Sequence, residues 1–159
     1  MISACRTFDI ELIKSIVTRD DVWATVAEDG QVKSEYMPDV NDECWLLMTD
    51  ENTAIGLYNI HAHNAVTIEI HAHVLPEHRK QHSKETGRAA LEWIYFNSPE
   101  YKKVIAQIPF IYKNVKNFTC GFGFKEEGVN RLSYLKNDVI VDQWLLGITR
   151  DEIEGYLNV

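Results

Sequence analysis

Thr67-Ile-Glu-Ile-His-Ala-His-Val-Leu-Pro76-Glu-His-Arg-Lys80-Gln-His-Ser-Lys84-Glu-Thr-Gly87 is the stretch on which the reading of the fold turns. Apolar and polar residues alternate through Val74, as in a half-buried strand that stops at Pro76. A basic loop follows, and the spacing predicts a helix opening at Lys84-Glu-Thr-Gly87-Arg-Ala89. A loop feeding a helix start presents unpaired backbone N–H groups and the positive end of the helix dipole, which together suit a phosphate. An anion site for a nucleotide-like cofactor is therefore expected around residues 83–88. Over residues 78–88, Arg79, Lys80, Lys84 and Arg88 stand against Glu85 alone. The plain alternative is a solvated charged loop.

Outward from this stretch, the chain is acidic. Its 159 residues carry a formal charge of −8 and are 45% hydrophobic, which fits one domain, 1–159, with a sizeable core. An acidic surface argues against nucleic acid as a partner, because phosphate neutralisation needs a basic face. Cys5, Cys44 and Cys120 are an odd set without C-x-x-C spacing, so neither a disulfide framework nor a zinc knuckle is indicated. No apolar run is long enough to span a bilayer, and the first residues lack the form of a signal peptide. No membrane partner and a cytoplasmic location are expected.

Helical spacing joins Ile10, Ile13, Ile16 and Val17, and Asp20-Asp21 opens a second short helix through Val26 that stops at Asp29-Gly30. Strand-like runs begin at Cys44 and Ala54 around the turn Asp50-Glu-Asn52, and a third covers Val66 to Val74. After the long helix, which must end before Pro99, come a buried strand at Val104–Ile108, a short helix with Val115 and Phe118, and a hairpin around Asn137-Asp138. Thr149-Arg-Asp-Glu152 is a capping box for a final turn. The order is helix, helix, three antiparallel strands, helix, strand, helix, two strands, an α/β or α+β arrangement.

At its C-terminal end the chain resembles the GNAT acetyltransferases, especially the branch that acetylates ribosomal proteins. The resemblance rests on Gly123-Phe-Lys-Glu-Glu127-Gly128-Val-Asn-Arg131, the Asn137-Asp138 turn, Asp142 and Gly147-Ile-Thr-Arg-Asp-Glu152. It implies a mixed, mostly antiparallel sheet with a central splayed parallel pair and helices on both faces, and it implies acetyl-coenzyme A as cofactor. The family's [QR]-x-x-G-x-[GA] motif is matched in two registers: one aligns Lys84, Gly87 and Ala89, the other puts Gly87 last and Glu85 where a glycine belongs. In the family the first of the splayed strands, here ending at His73 and Val74, pairs with the pantetheine arm. Amides of Ser83, Lys84, Glu85, Thr86, Gly87 and Arg88 are then implied to hold the diphosphate. Arg79 or Lys80 is implied near the adenosine phosphate, and Asn114 or Asn117 near the pantetheine.

All six histidines lie between His61 and His82, and four form two His-Ala-His pairs on consecutive strands. A three-residue turn at Asn64-Ala-Val66 would set His61 opposite Glu69, Asn59 opposite His71 and Leu57 opposite His73, with Ile60, Tyr58 and Ile70 on the other face. Glu69, then His71, is the candidate base for removing a proton from an attacking amine. His61, His63, His71 and Glu69 are also suitable zinc ligands, but their spacing carries no closed-site signature, so no metal is assigned. Family members often protonate the leaving thiolate from a tyrosine four residues before the Gly-Phe pair. Thr119 stands there, leaving Tyr112 and Tyr134 as candidates.

The segment Ile108 to Phe124 also looks like that of GNAT-like head-assembly proteins of short-tailed bacteriophages. That likeness implies a non-catalytic protein with virion assembly partners, in a host cytoplasm or virion. Two functions are thus in view: an acetyl-CoA-dependent N-acyltransferase whose partner is an amine acceptor, small or on a protein, and an assembly protein that keeps the fold without turnover. A homodimer is compatible with either.

Overall fold

The computed structural model describes residues 1–159. Seven strands form one sheet in the order β1-β2-β3-β4-β5-β7-β6: β1 (Ile2–Thr7), β2 (Cys44–Asp50), β3 (Thr53–Ala62), β4 (Thr67–Val74), β5 (Lys103–Pro109), β6 (Lys125–Lys136) and β7 (Val139–Thr149). Only β4 and β5 run parallel. The helices are α1 (Ile10–Val17), α2 (Asp20–Val26), α3 (Pro76–Asn97), α4 (Lys113–Cys120) and α5 (Arg150–Leu157).

The expected layering is present, with one added strand. β1 pairs with β2 along its whole length, whereas the sequence reading begins with a helix. Its short, half-exposed run Ile-Ser-Ala-Cys-Arg-Thr carries little apolar alternation, so pattern alone does not reveal it. Both hairpin turns sit where expected. Glu51 and Asn52 have φ of 46° and 72°, and Asn137 and Asp138 have 52° and 62°, the left-handed pair that matches strand twist. The Thr149–Glu152 capping box is complete, with Thr149 Oγ1 accepting from the Glu152 amide and Glu152 Oε2 from the Thr149 amide.

The second difference changes the site. α3 begins at Pro76, not at Lys84. Proline at the first helical position suits its fixed φ and missing N–H, and the buried stripe His82, Thr86, Gly87, Ala90, Leu91, Ile94 then runs continuously. Residues 83–88 are thus helix interior, and their amides are committed to the i→i−4 ladder.

Two apolar clusters flank the sheet. The larger sets Leu46, Tyr58, Ile60, Ile68, Val104, Leu146 and Ile148 against α3 and α5 through Leu91, Ile94, Ile153 and Leu157. On the opposite face Ile13, Ile16, Val17 and Val22 cover Trp45, Leu57 and Leu75. The face expected to be polar is therefore polar only where α1 and α2 leave it open, around His61, Glu69 and His71.

Candidate active site

β4 holds two partners of different reach. With β3 it pairs from Ala62↔Ile68 to Gly56↔Val74 in the register expected from the sequence, including His61↔Glu69, Asn59↔His71 and Leu57↔His73. With β5 it pairs only at Thr67↔Lys103, Ile68↔Val104 and Glu69↔Ile105. Beyond that point the strands diverge while β5 stays zipped to β7 as far as Pro109↔Gln143. The sheet is two leaves joined by a three-residue seam.

The parity of β4 decides what the gap contains. His63 N–H donates to the Thr67 carbonyl at 2.9 Å and Leu75 N–H to the Ile55 carbonyl at 2.9 Å, so the odd-numbered residues of β4 spend their backbone groups on β3. The even-numbered ones, Ile70, Ala72 and Val74, turn theirs toward β5, which has moved away. Arg79 Nε–H donates to the Val74 carbonyl at 2.9 Å, closing the top of the gap.

A cleft of about 720 Å³ occupies this divergence. Its walls are β4 from Glu69 to Val74, β5 from Ala106 to Pro109, the start of α4 with Asn114, and one stripe of α3, namely Arg79, Ser83, Gly87 and Leu91. Those four residues recur every four positions and so share a helix face. Phe122 forms the floor. A Cβ built on Gly87 would lie 2.3 Å from Phe122 Cζ, so this glycine makes room for the ring.

Several expected cofactor residues are placed elsewhere. Lys80 and Lys84 are exposed on α3 away from the cleft lining, and Glu85 lies 3.3 Å from His82 Nδ1. Thr86 is fully buried, bonded to Tyr58 Oη at 3.2 Å and donating to the Ser83 carbonyl at 2.9 Å. Arg88 donates to the Leu157 carbonyl at 3.0 Å and so caps α5. For these five the difference has one cause, the helix start two turns earlier, which puts residues 80–88 inside α3 and turns these side chains away from the cleft. Of the expected set, His73, Val74, Arg79, Ser83, Gly87 and Asn114 line the cleft.

At the seam sits Glu69, buried to 7% exposure. His61 Nε2 is 3.5 Å from its Oε2 and His71 Nε2 is 3.5 Å from its Oε1. The two imidazoles lie parallel, with centroids 5.3 Å apart and planes at 10°. Burial holds the His71 pKa below the usual imidazole range despite the neighbouring carboxylate, so His71 is neutral near pH 7. His73, stacked on Trp45, is pushed down to about 3 by burial and stays uncharged. Tyr134, on the cleft wall beside Tyr112, is pushed up to about 12, chiefly by burial, and keeps its proton. His63, grouped with these histidines by sequence, is exposed at the turn and takes no part.

Gln107 escaped the sequence reading. Its Nε2 lies 3.4 and 3.5 Å from the two Glu69 oxygens. The signal was available, since Gln107 is the one polar residue in Val104-Ile-Ala-Gln-Ile108, a run whose buried members are the even positions. Alternation alone puts it on the Glu69 face.

A mostly antiparallel seven-stranded sheet, split at its single parallel pair with helices on both faces, defines the GNAT fold. Among solved structures it is similar to the spermidine N-acetyltransferase of Vibrio cholerae in complex with CoA and spermine, with TM-score 0.80, 16% identity, and coverage of 96% of this chain and 97% of that one. A chimera of the Vibrio cholerae enzyme and hSSAT gives TM-score 0.78 and 18% identity over 99% of both chains. At such identities the likeness establishes the fold. No curated protein sequence matches the chain. The profile of a family described as "Protein of unknown function (DUF2824)" matches residues 6–159, and the chain belongs to that family.

Proposed function

We propose that this protein is an acetyl-coenzyme A-dependent N-acetyltransferase acting on a primary amine. The observation that carries the proposal is the divergence of β4 from β5, which leaves the backbone groups of Ile70 and Ala72 facing an open cleft. Ile70 is half-buried and Ala72 exposed, so this unpaired edge is accessible, and a linear amide-bearing ligand can pair along it as an added strand would. The pantetheine arm of coenzyme A has that chemistry, and the residues present fit it. The structural neighbour that carries CoA and spermine lends support.

Bound acetyl-coenzyme A supplies the acyl thioester; the protein supplies alignment and proton transfer. Arg79 and Ser83, on one side of the cleft, are the residues that would meet the diphosphate. Asn114, at the start of α4, faces the arm from the opposite wall. Glu69 receives the proton that an ammonium must lose before its lone pair can attack, with neutral His71 as the neighbouring acceptor. Tyr134, which keeps its proton and lines the cleft, would be the donor to the leaving thiolate. The likeness to the ribosomal-protein branch and the fainter one to phage head-assembly proteins draw no support from the comparisons.

The test is a thermal shift and calorimetric titration with coenzyme A. At a hundred times its dissociation constant, a ligand stabilises the fold that binds it by about 2.7 kcal/mol, roughly 5–10 °C for a domain of this size. An unchanged melting temperature at millimolar coenzyme A overturns the proposal.

A further inference from the structure

His61, Glu69 and His71 place three metal-ligating side chains so that their ligand atoms all lie within 4.8 Å of one another. The grouping follows from register. His61 stands directly opposite Glu69 across the β3–β4 pair, and His71 follows Glu69 by two residues on the same face. Both imidazoles turn Nε2 toward the one carboxylate, each to a different oxygen.

The spacing is informative. At 3.5 Å each nitrogen is farther from its carboxylate oxygen than the roughly 2.7–3.2 Å of a good N–H···O bond. It is close to the edge of a tetrahedron drawn around an ion with bonds of about 2.0–2.1 Å, on the order of 3.4 Å, but the ligand atoms as a set spread over up to 4.8 Å, so an ion would have to draw the two rings together. Parallel rings with centroids 5.3 Å apart hold the two nitrogens side by side above the carboxylate. Gln107 Nε2 stands 3.4 Å from Glu69 Oε1 and 3.5 Å from Oε2, at the same loose spacing as the two imidazoles, so the carboxylate holds no short hydrogen bond from any of the three. Glu69 and His71 also line the cleft, so a fourth coordination position opens toward it.

We infer that His61, Glu69 and His71 bind a divalent transition ion, Zn²⁺ by preference, as a three-ligand site with its fourth position open to the cleft. Two imidazoles and one carboxylate are a donor set that suits zinc with a solvent or substrate ligand. The inference does not rest on acetyl transfer, and the ion uses the same carboxylate oxygens that an ammonium would approach.

Cobalt reports coordination directly. Protein stripped by chelator and then dialysed is titrated with Co²⁺ alone, followed by Zn²⁺. One Co²⁺ per chain with the intense d–d bands of a four-coordinate site, displaced by one Zn²⁺, is expected. His61→Ala and His71→Ala should each weaken binding by about 100-fold, while His63→Ala and His78→Ala leave it unchanged. A zinc-induced rise in the melting temperature of the wild-type chain, absent in His61→Gln, reads the same site if an alanine variant does not fold. Bands that survive His61→Ala, or no stoichiometric binding by the wild-type chain, overturn the inference.

Discussion

The two halves of β4 differ in one respect, the neighbour on their β5 side. From Thr67 to Glu69 that neighbour is protein, and the backbone is satisfied on both edges; from Ile70 to Val74 it is a cleft. β3 continues past both halves without interruption, so the strand itself stays regular. A sheet can thus create a ligand groove by letting one ladder lapse while both leaves remain anchored on their far sides. Glu69, the last paired residue, stands where the ladder ends, which places a carboxylate at the mouth of the groove without any loop to carry it.

The largest expected effect concerns that last paired residue. Glu69→Gln keeps the shape of the seam but removes the proposed proton acceptor, and kcat for the proposed acetyl transfer should fall by about 10²–10⁴-fold while coenzyme A binding holds. A variant as active as the wild-type chain would detach the groove from the chemistry at its mouth. Next in size, Tyr134→Phe should lower kcat by about 10²-fold. With its pKa pushed up to about 12, Tyr134 keeps its proton through ordinary alkaline conditions, so the wild-type rate should not lose its proton donor below about pH 11. A downturn in kcat centred near pH 10 would assign the donor to an ordinary phenol instead.

Hydrogen exchange compares the two halves directly. The Ile68 amide, facing the paired stretch of β5, should be protected, and those of Ile70 and Ala72 should exchange about 10–100-fold faster until coenzyme A is added. Equal protection in the ligand-free chain would mean that the ladder does not lapse. The smallest effect is on the floor of the groove. Gly87→Ala gains about 1 kcal/mol of helix propensity but drives a methyl into the Phe122 ring, and overpacking of about 1–3 kcal/mol should leave a modest net loss in thermal stability.

Much of this comparison was legible in the chain. The His61↔Glu69 register follows from the odd-length turn and the alternation of His-Ala-His pairs, because a one-residue slip would bury the imidazoles and expose Ile60 and Ile70. The start of α3 was not. Its first turns, Pro76-Glu-His-Arg-Lys-Gln, carry no apolar stripe, and only the burial of His82 and Thr86 against the sheet extends the pattern backward. That burial depends on tertiary packing, which overrides the local polarity of the segment. The grouping of His61, Glu69 and His71 was implicit in the register, but the distances that separate a hydrogen-bonded strand face from a coordinating one belong to side-chain orientation.

The glycine at position 87 has a reach beyond its own contact. Phe122 rests against the helix where a side chain is missing, so α3 cannot rotate about its axis without forcing a neighbouring side chain into that ring. Ser83 and Arg79 stand one and two turns along the same stripe, and their azimuth is therefore set by an aromatic ring at the far end of the groove. The guanidinium starts from that azimuth and is then held by the Val74 carbonyl.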